Sequence, residues 1–388
     1  MMKKNLRANF PILKDIIYFD NSALVLKPLS AINALRDFYL KYSISSRTSD
    51  TPIGVLVNSQ IQSVREKVAS LLDAKVSEII FTSGTTESIN YFVDMYGHNF
   101  SEKDLIIVSG YNHAANLLPW INLSKKNKFK LIITENITRE ILKHQDKISL
   151  ISLSVENNNF QSKEDYEFIV NYCKKYNVIL VNDAAQSISH QKTSLNEYDV
   201  IAFSFNKFYG PTGMGVLALK EKLIKKLSLS KFGGGSLAEV KKNKDFNFKN
   251  NLTLFEPGTP NIANFFMADK SLDFFNEIGY EQTQEILNDL SLYLHEKLTE
   301  VKNLVIYSSP GDNIALINFK NIPAQDVSDY LGSKNIYTIA GIFCSQYLRN
   351  IQSQYSFVRI SLGIYNNKKD IDKLISELKN VEGNYGIW

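Results

Sequence analysis

Short apolar runs alternate with amphipathic stretches through the middle of this chain, and that alternation limits its possible folds. Several runs are nearly continuous Ile, Val and Leu, as is typical of strands buried on both faces. The amphipathic stretches between them include residues 88–96 and 163–176. This order predicts an α/β fold with a mostly parallel sheet and helices on both of its faces. The predicted strands are 78–82, 105–109, 131–134, 149–154, 178–181, 200–204 and 215–219.

The pattern changes after residue 262. A long helical stretch at 264–301 leads into a mixed order of strands and helices, which predicts a smaller α+β domain. The predicted strands there are 304–307, 314–319 and 356–361, and the predicted helices are 324–331 and 369–378. We therefore expect a large domain over residues 16–262 and a small domain formed by residues 1–15 and 263–388.

Composition and charge exclude several classes of protein. The 388 residues are 44% hydrophobic and 22% charged with a net charge of +4, which is typical of an ordered domain without a nucleic-acid-binding face. The first ten residues lack the apolar core of a signal peptide, and no apolar run approaches the roughly 18 residues of a membrane span. With Cys173 and Cys344 as the two cysteines, no disulfide framework is indicated, and we expect a cytoplasmic protein.

A short polar motif follows the first predicted strand. Ser83-Gly84-Thr85-Thr86-Glu87 stands where a helix begins, and a glycine, two hydroxyls and a helix N-terminus together favour an anion. Taken alone, the motif is explained more simply by Thr85 or Thr86 capping the helix. It lacks the lysine of a P-loop, which argues against a nucleoside triphosphate.

Three further polar residues follow strands of the same predicted sheet. His113 follows 105–109, Asp183 follows 178–181, and Lys207 follows 200–204 just before a turn rich in glycine and proline. Each alone has an ordinary explanation as a structural histidine, a cap or a surface lysine. Because ligands lie outside the carboxyl ends of such strands, we expect the three to meet there. Together with the phosphate-type turn they match the needs of pyridoxal 5′-phosphate (PLP), and no metal site is predicted.

With these residues in this order, the chain resembles the class V aminotransferase family of fold-type I PLP enzymes, and most of all the group II (Suf-type) cysteine desulfurases. The resemblance extends from Tyr18-Phe19-Asp20-Asn21-Ser22-Ala23 to Val358-Arg359-Ile360-Ser361. The motifs in between are Ser83-Gly84-Thr85-Thr86-Glu87, Asn112-His113-Ala114-Ala115-Asn116, Asp183-Ala184-Ala185-Gln186, Lys207-Phe208-Tyr209-Gly210-Pro211-Thr212-Gly213 and Phe255-Glu256-Pro257-Gly258-Thr259-Pro260-Asn261.

The resemblance implies a role for each matching residue around the cofactor. Lys207 would hold PLP as a Schiff base and, once freed, act as base and acid at the substrate Cα. Asp183 would pair with the pyridine nitrogen, Gln186 would bind the phenolic oxygen, and His113 would stack on the ring and move protons. The phosphate would be held by Thr85, Thr86, Ser204 and Asn206, and by Thr259 from the other subunit. This last role implies a homodimer with active sites at its interface.

The same resemblance implies how a small amino-acid substrate is bound. Asn157 and Arg359 match the positions that hold its carboxylate, a task that suits the planar guanidinium. Cys344, fifteen residues before Arg359, matches the nucleophilic cysteine that takes sulfur as a persulfide while alanine is released. A small buried hydrophobe is the alternative interpretation of Cys344, and Cys173, inside an amphipathic stretch, is expected to be structural.

Three positions depart from the family pattern. Asn206 replaces a phosphate-binding histidine, so it can donate a hydrogen bond but carries no charge. Ile339-Ala340-Gly341-Ile342-Phe343 precedes Cys344 where the family has a cation and two imidazoles, and we expect burial in these apolar surroundings to raise the thiol pKa. Phe160 stands where a glycine usually follows the Asn157 motif, which predicts a narrower substrate pocket.

Three functions therefore remain open. The first is a cysteine desulfurase, or a relative acting on cysteine or selenocysteine, that hands persulfide sulfur to an acceptor protein. The second is a class V aminotransferase, C–S lyase, epimerase or cyclase of specialised metabolism in which Cys344 is incidental. The third, a non-catalytic scaffold, is disfavoured because Lys207, Asp183, Gln186 and His113 are all present.

Overall fold

A computed structural model describes residues 6–249, 252–354 and 356–385, and its centre is a seven-stranded sheet. The strand order is β2-β8-β7-β6-β5-β3-β4, and only β8 runs antiparallel to its neighbours. The predicted mostly parallel seven-stranded sheet is thus confirmed. Its strands are β2 (Ile79–Thr82), β3 (Leu105–Ser109), β4 (Lys130–Thr134), β5 (Ile148–Leu153), β6 (Ile179–Asp183), β7 (Val200–Ser204) and β8 (Gly215–Leu219).

Helices cover both faces of this sheet, because their apolar sides pack on strands whose residues are almost all buried. One face packs against a core that includes Trp120 and Phe92, and the other against a larger core that includes Phe203 and Phe275. The helices in this part of the chain are α1 (Leu29–Asp37), α2 (Pro52–Leu71), α3 (Thr85–Tyr96), α4 (Leu118–Asn127), α5 (Ile137–His144), α6 (Tyr166–Tyr176) and α7 (Glu221–Ile224).

The C-terminal region is the smaller α+β unit that the sequence predicts. A four-stranded antiparallel sheet has the order β11-β12-β15-β14, and two helices pack beside it. The strands are β11 (Leu304–Ile306), β12 (Ile314–Phe319), β14 (Ile339–Gly341) and β15 (Phe357–Ser361), and the helices are α9 (Ala324–Ser333) and α10 (Lys368–Asn384).

One long helix, α8 (Ile262–Leu298), joins the two regions. It is interrupted at Gly279, whose φ of 75° and ψ of 171° are open to glycine and strained for other residues. Before the kink Lys67 of α2 contacts Asp269, and after it Lys368 of α10 contacts Asp289. The helix therefore begins at the residue-262 boundary between the expected domains and contacts helices on both sides of it, and that division stays a prediction.

Several elements were not predicted. These are helices α1 and α2, the two-residue strand β1 (Ile17–Tyr18) with its parallel partner β13 (Ile336–Tyr337), and the hairpin of β9 (Leu237–Val240) and β10 (Phe246–Phe248). The pairing of β1 with β13 ties the start of the described chain to the C-terminal region. Among the described residues, no helix combines the length and apolar character needed to cross a bilayer.

Candidate active site

Two strand ends meet across a single residue at the edge of the large sheet. Gly215, the first residue of β8, lies opposite both Thr82 at the end of β2 and Ser204 at the end of β7. A Cβ atom on Gly215 would lie 2.5 Å from the Cα of Gly84, so only glycine admits this close approach. The turn before α3 is therefore brought directly beside Ser204.

A cavity of about 270 Å³ opens at this edge. The predicted residues that line it are Thr85, Thr86, His113, Asn157, Asp183, Gln186, Ser204, Asn206 and Lys207. Arg359, Cys344 and Thr259 are not among its lining residues. The sheet thus brings together residues that are far apart in the sequence, because β2, β3, β5, β6 and β7 all end at the same edge.

The turn before α3 ends in an unsatisfied hydroxyl. The helix begins at Thr85 with Gly84 as its N-cap, and no side chain among the described residues caps it, so the simpler interpretation as a threonine cap is wrong. Instead, the Oγ1 atom of Thr85 is buried without a hydrogen-bond partner among the described residues. Exposed Thr86 lines the same cavity. A free buried donor at a helix N-terminus is what a bound anion would satisfy.

Lys207 and Asp183 face the same cavity, and burial shifts the pKa of each in the direction that favours the neutral form of the side chain. Desolvation lowers the pKa of Lys207 to about 8, although the Asp183 carboxylate nearby opposes the shift. Desolvation likewise raises the pKa of Asp183 to about 6, against a hydrogen bond from the Ala185 amide and the charge of Lys207. A lysine amine that deprotonates near neutral pH can act as a nucleophile and as a base.

The His113 ring is held neutral and in one tautomer. Desolvation, followed by the charges of Lys207 and Arg359, lowers its pKa to about 4. Its Nδ1 atom accepts a hydrogen bond of 3.1 Å from the Ala115 amide, so the neutral ring carries its proton on Nε2. Gln186 is oriented by a hydrogen bond of 2.9 Å from its Nε2 to the Ser22 carbonyl oxygen.

Asn206 contacts the phosphate-type turn through Ser204. The Ser204 hydroxyl donates a short hydrogen bond to Asn206 Oδ1, which leaves the Asn206 amide group free to donate. Behind it, the Lys27 ammonium donates to the Asn206 carbonyl oxygen at 2.7 Å. Burial lowers the pKa of Lys27 to about 7.

The two residues expected at the substrate carboxylate lie close together but differ in exposure to the cavity. Both polar side-chain atoms of Asn157 are buried without partners among the described residues. The Arg359 guanidinium donates to Asp20 Oδ1 at 2.8 Å and to the Asn158 carbonyl oxygen at 3.1 Å, and the Phe343 ring covers it at 4.5 Å. Its Nε atom has no hydrogen-bond partner in the described part of the chain.

Cys344 is exposed at a tight turn, so the expected burial of its thiol in an apolar loop is wrong. Its neighbour Phe343 takes up the apolar contacts, because that side chain packs, as Phe160 does, against a small buried cluster that includes Phe357 of β15. The Ala114 amide, next to His113, donates 2.8 Å to the Cys344 carbonyl oxygen. Cys173, by contrast, is buried in α6.

Phe160 does not line the cavity, so the predicted narrowing of that pocket by its ring is not seen. Its ring packs edge-on against Phe357, with 5.2 Å between the centroids. Thr259 is exposed and lines a separate cleft with Lys231 and Glu256. That position suits a role toward another subunit, as the resemblance implies.

Sequence reasoning missed two acidic residues of the site. Glu156 lines the cavity and pairs with His190, and each of these side chains is about 12% exposed. Asp20 pairs with Arg359, and burial raises the pKa of its carboxyl although Arg359 opposes the shift. The position of Glu156 next to the predicted Asn157 is the one sequence feature that could have indicated it. No sequence feature indicates His190 or the pairing of Asp20 with Arg359.

The donor set of the cavity fits PLP. Thr85 supplies an unsatisfied donor at a helix N-terminus for the phosphate, with Ser204 and Asn206 beside it. Buried Asp183 supplies a carboxylate for a cationic ring nitrogen, and Lys207 supplies the amine. These are the three groups that a protein must provide for this cofactor.

Comparison with known proteins identifies relatives along nearly the whole chain. A family model described as aminotransferase class-V matches residues 17–374. A probable cysteine desulfurase of Ureaplasma parvum is 32% identical over 380 residues, covering 95% of this chain and 94% of that protein. A probable cysteine desulfurase of Borreliella burgdorferi is 34% identical over 408 residues, covering 97% of this chain and 96% of that protein. The apo structure of a cysteine desulfurase from Thermococcus onnurineus superposes with a TM-score of 0.92 at 26% identity, covering 99% of both chains.

Proposed function

The chain belongs to the class V aminotransferase family of PLP-dependent enzymes, and from that premise we propose that it is a cysteine desulfurase. The reaction would convert L-cysteine to L-alanine and leave the sulfur as a persulfide on Cys344. The observation that carries the proposal is the position of this cysteine: its thiol is exposed, and its carbonyl group is held at the His113 turn by the Ala114 amide.

The proposed chemistry balances without an added oxidant or reductant. The bond between the substrate Cβ and its sulfur breaks, and a sulfur–sulfur bond forms to the Cys344 thiolate. The proton of the substrate thiol ends on the methyl group of alanine. When bound, PLP supplies the electron sink that makes the bonds at Cα labile.

The residues of this chain would divide the remaining work. Lys207, with its pKa lowered to about 8, would take the Cα proton as a free amine. Neutral His113, with its proton on Nε2, would donate or relay protons at the substrate. Asp183 would keep the ring nitrogen protonated, while Asn157 and Arg359 would hold the substrate carboxylate.

Assays of alanine and sulfide with L-cysteine test this proposal on the wild type and on Cys344→Ser. We expect the wild type to form alanine and the variant to lose at least about 100-fold of that rate, since the sulfur then has no nucleophile to attack it. Wild-type protein that forms no alanine overturns the proposal. Alanine or sulfide formation that survives Cys344→Ser assigns a lyase-type reaction instead. Cys173→Ser is the matched control and should retain the wild-type rate.

We also propose that the enzyme is a homodimer in which Thr259 of one subunit reaches the phosphate site of the other. In support, Thr259 is exposed beside Lys231. A face formed by α1 and the helical turn that follows it (Phe38–Tyr42) carries exposed Leu29, Ile32, Tyr39 and Leu40. Such an apolar patch is typical of an interface. Analytical ultracentrifugation of wild type and of Leu40→Asp tests this, and a monomeric wild type contradicts it.

The exposed thiol suits transfer of sulfur to an acceptor protein, and we propose such a partner as the final recipient. The same chemistry requires a reducing compartment, in which Cys344 stays free to react, and supports a cytoplasmic location.

A further inference from the structure

Asn158 is the centre of a buried polar network around the turn that carries Cys344. Its Nδ2 donates to the Phe343 carbonyl oxygen at 2.7 Å. Its Oδ1 accepts from Asn159 Nδ2 at 2.9 Å and from the Ser345 hydroxyl at 3.1 Å. Asn159 also donates to Ser345 Oγ at 2.8 Å, so residues on both sides of Cys344 are bound. Only 7% of Asn158 is exposed, which makes these contacts costly to lose.

The main chain of the same residue contacts the arginine that would hold the substrate carboxylate. The Asn158 carbonyl oxygen accepts from Arg359 Nη1 at 3.1 Å. The Phe343 ring, whose carbonyl group Asn158 binds, lies over the same guanidinium at 4.5 Å. Asn158 therefore contacts both the proposed carboxylate site and the turn of the proposed nucleophile.

This turn needs external contacts to keep its shape. Phe343 and Cys344 have φ values of 56° and 57°, in the left-handed region that is unfavourable for residues with a side chain. Two such residues in succession persist only where the surroundings hold them. The main-chain carbonyl oxygen of Phe343 accepts a hydrogen bond from Asn158, and that of Cys344 accepts one from the Ala114 amide.

We propose that Asn158 is a positioning residue that holds the Cys344 turn in a fixed place relative to Arg359. The positions of the nucleophile and of the substrate carboxylate would then both depend on Asn158, the first on its buried side chain and the second on its main-chain carbonyl group. The assignment rests on the proposed function only for its consequence in catalysis, because the contacts themselves are independent of the reaction.

Hydrogen exchange measured by mass spectrometry on the holoenzyme tests the structural part. In Asn158→Ala, amides in residues 342–348 and the Ala114 amide should exchange at least about tenfold faster, since the turn loses the bonds that keep it closed. Asn127→Ala is the matched control, because that amide also donates to backbone carbonyls, at 2.7 and 3.3 Å, but between α4 and the end of α3. Unchanged exchange at 342–348 in folded Asn158→Ala overturns the proposal.

A second variant covers the case in which Asn158→Ala does not fold. Ser345→Ala removes a single hydroxyl from the network and leaves Asn158 in place, so a smaller increase of exchange at the same residues is expected. If this variant exchanges like the wild type and Asn158→Ala is unfolded, the network does not hold the turn and the proposal is rejected.

Steady-state kinetics with L-cysteine test the catalytic part. Asn158→Ala keeps the carbonyl that contacts Arg359, so the KM should change less than about threefold, whereas kcat should fall roughly tenfold because the thiol is displaced. A rise in KM with unchanged kcat contradicts the assignment. If the wild type forms no alanine, the proposed function fails, but the exchange result still decides whether Asn158 positions the turn.

Discussion

The cavity wall around Lys207 and the turn that carries Cys344 are built in different ways. Lys207 and the Thr85 turn each follow a buried strand and Asp183 ends one, and the sheet brings them together because those strands end at one edge. Cys344 lies outside any strand and is placed by hydrogen bonds from Asn158 and Ala114. The first region depends on the architecture of the sheet, and the second on a few long-range polar contacts.

The contrast explains why departures from the family pattern have different consequences in the two regions. In the cavity, the change to Asn206 leaves a donor beside Ser204. At the turn, the apolar side chain of Phe343 does not bury Cys344 but packs on Arg359 and Phe357 instead. We conclude that the turn keeps its thiol exposed by directing its apolar neighbour onto the small buried cluster that includes Phe357.

The largest expected effect lies in the cavity. Lys207→Ala should abolish the yellow colour of the cofactor bound as a Schiff base and reduce alanine formation by about 10³-fold or more, since the amine is both attachment and base. Absorption spectra and alanine assays measure this. Lys222→Ala, on an exposed lysine, is the control. Retention of the colour in Lys207→Ala would contradict the assignment of this site.

The second effect concerns Asp183 in cofactor-free protein. Its pKa is about 6 in the folded chain against an ordinary value of 3.8, so a charged, buried carboxylate destabilises the fold above pH 6, and this penalty disappears as the pH falls toward 4. Asp183→Asn should therefore raise the free energy of unfolding by about 3 kcal/mol at pH 8 and by almost nothing near pH 4.

Urea denaturation of both cofactor-free proteins at the two pH values measures this difference. In the same variant, binding of PLP should weaken, because the ring nitrogen loses its anionic partner. Equal stabilisation at both pH values would mean that the buried charge is not its cause.

The third effect tests whether Arg359, beside the Cys344 turn, binds the substrate carboxylate. Arg359→Lys keeps a cation beside Asp20 but loses the planar pair of donors, so the KM for L-cysteine should rise roughly 10- to 100-fold. The colour of the bound cofactor should not change, since Arg359 does not line the cavity. If Arg359→Lys loses the cofactor without a change in the KM for L-cysteine, Arg359 binds the cofactor and not the substrate.

The smallest effect separates the ring of Phe343 from the turn itself. Phe343→Leu removes the contact of the ring with the Arg359 guanidinium and should cost about 1 kcal/mol in the free energy of unfolding. Exposure of Cys344 to an alkylating reagent should stay as in the wild type, because Asn158 binds the main chain of residue 343. Faster alkylation in Phe343→Leu would show that the ring, rather than the amide, holds the turn.

The strand-end motifs were enough to predict most of the cavity. Apolar runs of four to six residues identify the strands, and the residue after each run must lie at the carboxyl edge once the strands are parallel. The prediction failed for the Thr85 cap, because the choice between a cap and an anion donor depends on whether the hydroxyl has a partner in the folded chain.

What the sequence by itself determined is the α/β order, the seven strands and the set of residues that meet at their ends, because hydrophobic period and strand direction are local properties. Only the tertiary structure decided the exposure of Cys344, the pairing of Asp20 with Arg359 and the network of Asn158. The hydrogen bonds of Asn158 with Phe343 and Ser345, and that of Arg359 with Asp20, join residues more than 180 positions apart, so their energies depend on packing that no local pattern encodes.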